Sequence, residues 1–118
     1  MGLSRDEIRA VDDIKRVSVA VEEWDGDVPI RALSVRLRQV FVKLYDGVDD
    51  PEVPADVWLA LNCACTDDGD RLFDDSDLDW LLDKASAALQ LIGQKCLELN
   101  GLEEGAVEEA EKNSAAIL

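Results

Sequence analysis

The sequence predicts an α+β fold that is mainly α: a short N-terminal helix and a β-hairpin followed by a small bundle of three to four helices. Three observations predict it. Apolar residues recur at intervals of three and four along most of the chain. One stretch, VSVAVEEW, alternates with a period of two instead. Helix-starting residues (Ser4, Ser34, Pro54) and helix-stopping glycines (Gly47, Gly101) punctuate the segments. At 118 residues with 47% apolar content, the chain has the size and composition of one folded domain over 1–118. Within it, 4–33 holds the helix and hairpin, 34–99 the helical core, and 100–118 a C-terminal helix and tail.

Ser4-Arg5-Asp6-Glu7 matches a capping box, and Ile8, Val11 and Ile14 follow at helical spacing, so a first helix is expected over roughly 5–15. Val17, Val19 and Val21 then mark a half-buried strand. Trp24-Asp25-Gly26-Asp27 supplies a turn, and VPIRAL a second strand whose Pro29 belongs at a sheet edge. Ser34 caps the next helix, with Leu37, Val40, Phe41, Leu44 and Tyr45 on one face and Arg36, Arg38 and Lys43 forming a basic cluster opposite. After the connector DGVDDPEV, Pro54 fits the first turn of a helix lined by Val57, Trp58, Leu61, Ala64 and Cys65. A brief extended segment is expected at Arg71-Leu72-Phe73. The longest predicted helix runs from Leu78 to Leu99 and stops at Asn100-Gly101. Gly93 inside it costs about 1 kcal/mol relative to Ala and predicts a close helix crossing. A weaker amphipathic segment, Leu102 to Lys112, precedes a frayed NSAAIL end.

The net charge of −15 is unevenly spread: residues 1–50 carry 8 basic and 11 acidic side chains, residues 51–118 carry 4 and 16. Such a field repels nucleic acid and anionic membranes and attracts basic surfaces. The chain opens with neither a signal-peptide pattern nor an apolar run of membrane-spanning length, so cytoplasmic residence is the expectation. Histidine is absent, which removes the commonest general acid/base and the commonest transition-metal ligand.

The acidic run DDGDRLFDDSDLDWL invites a calcium-loop reading. With Gly69 at position 6, position 1 is Ala64 and position 12 is Asp75, so the first ligand is missing and the last is short. A helix start explains the run better: Asp74, Asp75 and Ser76 are N-cap candidates, and Asp77 and Asp79 meet the positive end of the macrodipole for about 0.3–1 kcal/mol each. Cys63, Cys65 and Cys96 lack a fourth zinc ligand and the usual spacing, and read as buried small hydrophobes. With neither a nucleophile–base pair nor a phosphate loop, the expectation is a non-enzyme without metal or cofactor. Trp24, near the hairpin turn, and the basic trio Arg36, Arg38 and Lys43 are candidate partner-binding residues, together with Leu102 and Val107 of the last segment.

The ordered string of motifs resembles the tail assembly chaperones of long-tailed bacteriophages. The resemblance rests on VAVEEWDG (Val19 to Gly26), PIRALS (Pro29 to Ser34), DGDRLFDD (Asp68 to Asp75), the Ala/Leu helix from Lys84 to Leu99, and LNGLEEGAVEEAEKN (Leu99 to Asn113). It covers residues 4 to 114, with the linker DGVDDPEVPADV as its one departure from the family's pattern. The resemblance implies a non-enzymatic factor that coats the tape measure protein, keeps it soluble, recruits major tail tube protein subunits, and is absent from the finished virion. It also implies self-association into a homo-oligomer, residence in the bacterial host cytoplasm, and identity as the short form of a pair made by ribosomal frameshifting. Two other classes compete. An acidic decoy imitating nucleic acid would need carboxylates evenly spaced along one face, whereas these cluster at caps and turns. A carboxylate-dependent hydrolase would need a motif that the sequence lacks.

Overall fold

The structure, a computed structural model, describes residues 2–102. The element order is α1 (Arg5–Ala10), β1 (Arg16–Val21), β2 (Gly26–Arg31), α2 (Val35–Tyr45), α3 (Ala55–Cys63), α4 (Leu78–Leu81) and α5 (Ser86–Leu99). Single 3-10 turns at Glu22–Trp24 and Asp75–Asp77 join β1 to β2 and lead into α4. The fold is α+β and mainly α: one two-stranded antiparallel hairpin with helices packed against it.

The hairpin pairs Val19 with Val28 and Val17 with Ile30, in a register that sets Ser18 opposite Pro29. Alternation sends Val19, Val21, Val28 and Ile30 inward, while Val17 stays exposed. Asp25 takes a left-handed conformation (φ 50°) to close the turn, a role to which a short polar side chain is suited. Pro29 loses no ladder bond, and its carbonyl accepts the Cys65 N–H at 2.9 Å. The segment after α3 thereby joins the hairpin edge through a bridge of Ile30 with Ala64 and continues to one of Cys65 with Arg71. This is why α3 stops at Cys63 instead of running through Cys65: Ala64 turns extended to meet the sheet. The extended character expected at residues 71–73 is this short bridge.

Helix α3 is buried on almost every side (Val57, Leu59, Ala60, Leu61, Cys63), as a central helix should be. Helix α5 lays one stripe on it: Ala88, Leu89, Ile92, Gly93 and Cys96. Gly93 makes the approach close. A Cβ there would stand 3.0 Å from the Asp56 Cα and closer still to its carboxylate. All three cysteines are free and buried. A hydrogen bond to the Cys63 thiol, then burial, push the Cys96 thiol far above its ordinary range. Burial likewise raises Cys65, partly offset by Arg31 and Arg16. These thiols pack as apolar groups.

Two expectations are corrected. The first helix ends at Ala10, not near residue 15, although its capping box forms as predicted, with Ser4 Oγ accepting the Glu7 N–H at 3.2 Å. None of its residues is buried, so nothing holds a further turn, and Ile14 lies on the approach to β1. The predicted helix from Leu78 to Leu99 is broken. After Leu81 the chain tightens through bonds from Asp83 N–H to Trp80 and from Lys84 N–H to Leu81, and Ala85 is extended. An unbroken helix would point Leu82 and Ala85 at the core. The break leaves both exposed, with Leu81 buried before it and Leu89 after it. The amphipathic segment predicted from Leu102 to Lys112, Val107 included, lies outside the described residues except for Leu102, which is half-buried.

Replacing Gly93 by Ala sets a helix-propensity gain of about 1 kcal/mol against an overpacking cost of about 1–3 kcal/mol. Because the obstructing atoms include backbone, overpacking wins. Gly93→Ala should lower stability by about 1–2 kcal/mol in urea titrations with an unchanged m-value. Asp56 gives a pH signature of the same crossing. Burial raises its carboxyl above the ordinary 3.8, so the folded chain holds that proton more tightly than the unfolded one. The stability it contributes therefore falls as pH rises from about 3.8 through the raised folded value. Asp56→Asn should melt higher than the parent at neutral pH, and scanning calorimetry should show the difference vanishing below pH ~4.

Candidate functional site

Helix α2 follows from its sequence directly. Ser34 Oγ accepts the Leu37 N–H at 3.2 Å as an N-cap, and the chain leaves through Asp46 and a left-handed Gly47 (φ 70°). Although 11 residues long, α2 buries none of them. It is held to the body along a narrow line. The Phe41 ring lies 5.5 Å from Trp58 of α3 and 5.0 Å from Tyr45, and the Tyr45 hydroxyl donates to the Val53 carbonyl at 2.7 Å. Burial of that phenol raises its pKa, so it remains a neutral donor at physiological pH. At the helix's start, Asn100 at the end of α5 accepts the Leu33 N–H at 2.7 Å and donates to the Cys96 carbonyl at 2.7 Å.

The predicted apolar face was Leu37, Val40, Phe41, Leu44 and Tyr45. Only Leu37, Phe41 and Tyr45 turn inward, and Val40 and Leu44 remain exposed. A second stripe, Val35, Arg38, Gln39, Val42 and Lys43, lines an open hollow of about 350 Å³ on the outer side. Val35 is 78% exposed and Val42 42%. The structure thus brings together Arg38 and Lys43 of the basic trio. Arg36, two positions from Arg38 and so on the other side of the helix, is exposed but does not line the hollow. Among the described residues none of the three is in an ion pair. Trp24 is half-buried, packed against the core. Leu102 is tied back by its N–H to the Leu97 carbonyl at 2.8 Å, and Val107 is outside the described residues.

The acidic run serves largely as helix-start chemistry. Asp74 accepts the Ser76 N–H at 2.8 Å, its own N–H goes to Asp77 Oδ2 at 2.9 Å, and Asp77 Oδ1 accepts the Trp80 indole N–H at 2.9 Å. The Ser76 bonds hold Asp74 below the ordinary carboxylate pKa. Arg71 donates to Asp75 at 2.7 Å and to the Leu61 carbonyl at 2.9 Å, while Arg31 reaches the Asn62 and Gly69 carbonyls. Two cations therefore meet the last carbonyls of α3, where the macrodipole favours them.

Sequence reasoning missed three exposed residues of this kind. Val35 and Val42 are seven apart on α2 with Arg38 and Gln39 between, a second periodic stripe that the first one concealed. Trp80 is 44% exposed, its ring edge-to-face on Phe73 with centroids 5.6 Å apart. A tryptophan inside an acidic run was the available signal. Among the described residues no helix is long and apolar enough to cross a membrane, and no group of three His, Cys, Asp or Glu side chains is placed to hold a metal ion. Comparison with protein-family models, curated proteins and solved structures gives no match.

Since Phe41 is the main link between α2 and the core, Phe41→Ala should release α2 alone. The expected cost is about 2 kcal/mol, below the usual range for a fully buried Phe because this ring is half-exposed. Hydrogen exchange should show α2 amides losing protection while those of α3 and α5 keep theirs.

Proposed function

We propose that this chain is a tail assembly chaperone of a long-tailed bacteriophage. It binds the tape measure protein, keeps it soluble, recruits tail tube subunits in the host cytoplasm, and leaves before the virion is complete. The motif resemblance over residues 4 to 114 supports the reading, and the observation that carries it to a site is the unpartnered outer stripe of α2. Val35, Arg38, Gln39 and Val42 fall at i, i+3, i+4 and i+7, the spacing at which one helix reads another.

An amphipathic client helix laid along this stripe would bury Val35 and Val42 and place its acidic margin against Arg38 and Lys43. Such a contact is small, so each copy holds weakly and many copies along a long helical client hold firmly. Weak individual contacts also suit displacement by a polymerising tube. The net charge of −15 per copy keeps a coated client dispersed.

Co-expression with the tape measure protein, followed by affinity capture, tests the reading. The wild-type chain should render that protein soluble and co-purify in several copies per client, and Val42→Glu should reduce capture about tenfold. A client that stays insoluble with the wild-type chain, or equal capture by Val42→Glu, would contradict it.

A further inference from the structure

We propose that Trp80 and the carboxylates beside it form a recognition surface for an arginine side chain carried by a segment of a partner protein. The surface belongs to the 73–83 segment, not to α2, and the inference does not rest on the chaperone reading.

Trp80 is 44% exposed, although folding usually covers most of a tryptophan. Its position is nonetheless fixed. The ring stands edge-to-face on the half-buried Phe73, centroids 5.6 Å apart, and the indole N–H donates to Asp77 Oδ1 at 2.9 Å. A side chain held this way loses little freedom when a partner arrives. Donation to a carboxylate also pushes electron density into the indole, which makes its face more attractive to a cation. The ring already draws one: Lys84 Nζ lies 5.8 Å from its centroid. That separation is near the outer limit of about 6 Å for such a contact, and the exposed ammonium can exchange it for water. The chain's own cation therefore occupies the face loosely.

The carboxylates around the ring divide into two groups. Asp74, Asp75 and Asp77 are engaged in capping, with Arg71 and with the indole N–H. Asp79 and Asp83 are exposed and have no ion-pair partner among the described residues. Asp79 directly precedes the tryptophan, and the Asp83 N–H donates to the Trp80 carbonyl at 3.1 Å. An aromatic face with free carboxylates at its margin calls for a cation that has an apolar plane, and arginine supplies both. Its guanidinium stacks flat on a ring and still presents N–H groups at its edge, where one carboxylate can accept two of them. A lysine ammonium has no plane to stack and holds its hydration more firmly. The acidic second half of the chain, with 4 basic and 16 acidic side chains over 51–118, attracts such a segment from a distance. That attraction does not tell arginine from lysine. The ring does.

Titration of the whole isotopically labelled chain at physiological salt, followed by NMR at the Trp80 indole and the backbone amides of 78–84, tests this. The probe is the blocked peptide Ala-Arg-Ala-Arg-Ala, beside its lysine counterpart of equal charge. These signals should move saturably, and the arginine peptide should bind about fivefold or more tightly than the lysine peptide. Trp80→Leu should abolish that preference. Asp79→Asn with Asp83→Asn should weaken arginine binding about tenfold. Asp49→Asn with Asp50→Asn, an equal loss of charge in the exposed connector, should change it by less than about twofold. Unchanged amide signals from α3 and α5 separate loss of the site from misfolding. Equal affinity for the two peptides, a preference retained by Trp80→Leu, or equal weakening by the two asparagine pairs would each overturn the proposal, leaving only the general field of an acidic chain. So would Trp80 signals that shift with protein concentration alone, because a second copy would then be covering the ring. No client is present, so the chaperone reading is decided separately by the capture experiment.

Discussion

The crossing of α3 and α5 at Gly93 is the contact on which the rest of the structure depends. Gly93 removes the side chain that would hold the helices apart, and Cys63 of α3 and Cys96 of α5 are fully buried. Val19, Val21, Val28 and Ile30 of the hairpin are buried in the same core as residues of these two helices. A lone two-stranded hairpin is marginal in water, and burying one face against helices is what makes it persist. Among the described residues no polar or charged side chain is buried, so the interior is held by apolar packing and thiols alone.

With an interior of that kind, all the charge falls to the surface, where the backbone has organised a good part of it. Glu7 and Asp74 satisfy amides at the starts of helical turns, and Arg31 and Arg71 satisfy carbonyls at the end of α3. These pairings are individually modest, of order 1 kcal/mol or less where exposed. They nonetheless sort the charged residues into those the fold uses and those it leaves over. Among the described residues, Arg38, Lys43, Asp79 and Asp83 belong to the second group, and all four border exposed apolar side chains.

Periodicity made the element types legible from sequence, and chemistry at the ends made several boundaries legible. Ser4 with Glu7, Ser34, and Asp74 before α4 all cap as their spacing implies. The α+β, mainly α class follows from those signals. What was not legible depends on contacts between distant segments. Nothing local at Ala64 says that it must turn to meet Pro29 and Ile30, and nothing in the run from Leu78 to Leu99 says that the helix must break after Leu81. The α2 stripe was half legible. The basic residues drew notice, but the exposure of Val35 and Val42 depends on which side of the helix Phe41 anchors, and only packing decides that.

The absence of any buried residue on α2 has an evolutionary consequence. Substitution at an exposed helical position away from caps usually changes stability by no more than about 0.5 kcal/mol. The outer stripe can therefore exchange valine for leucine, or arginine for glutamate, while Gly93, the thiols and the hairpin valines stay fixed. A lineage carrying this fold could change the surface we propose for a partner without disturbing the residues that fold it.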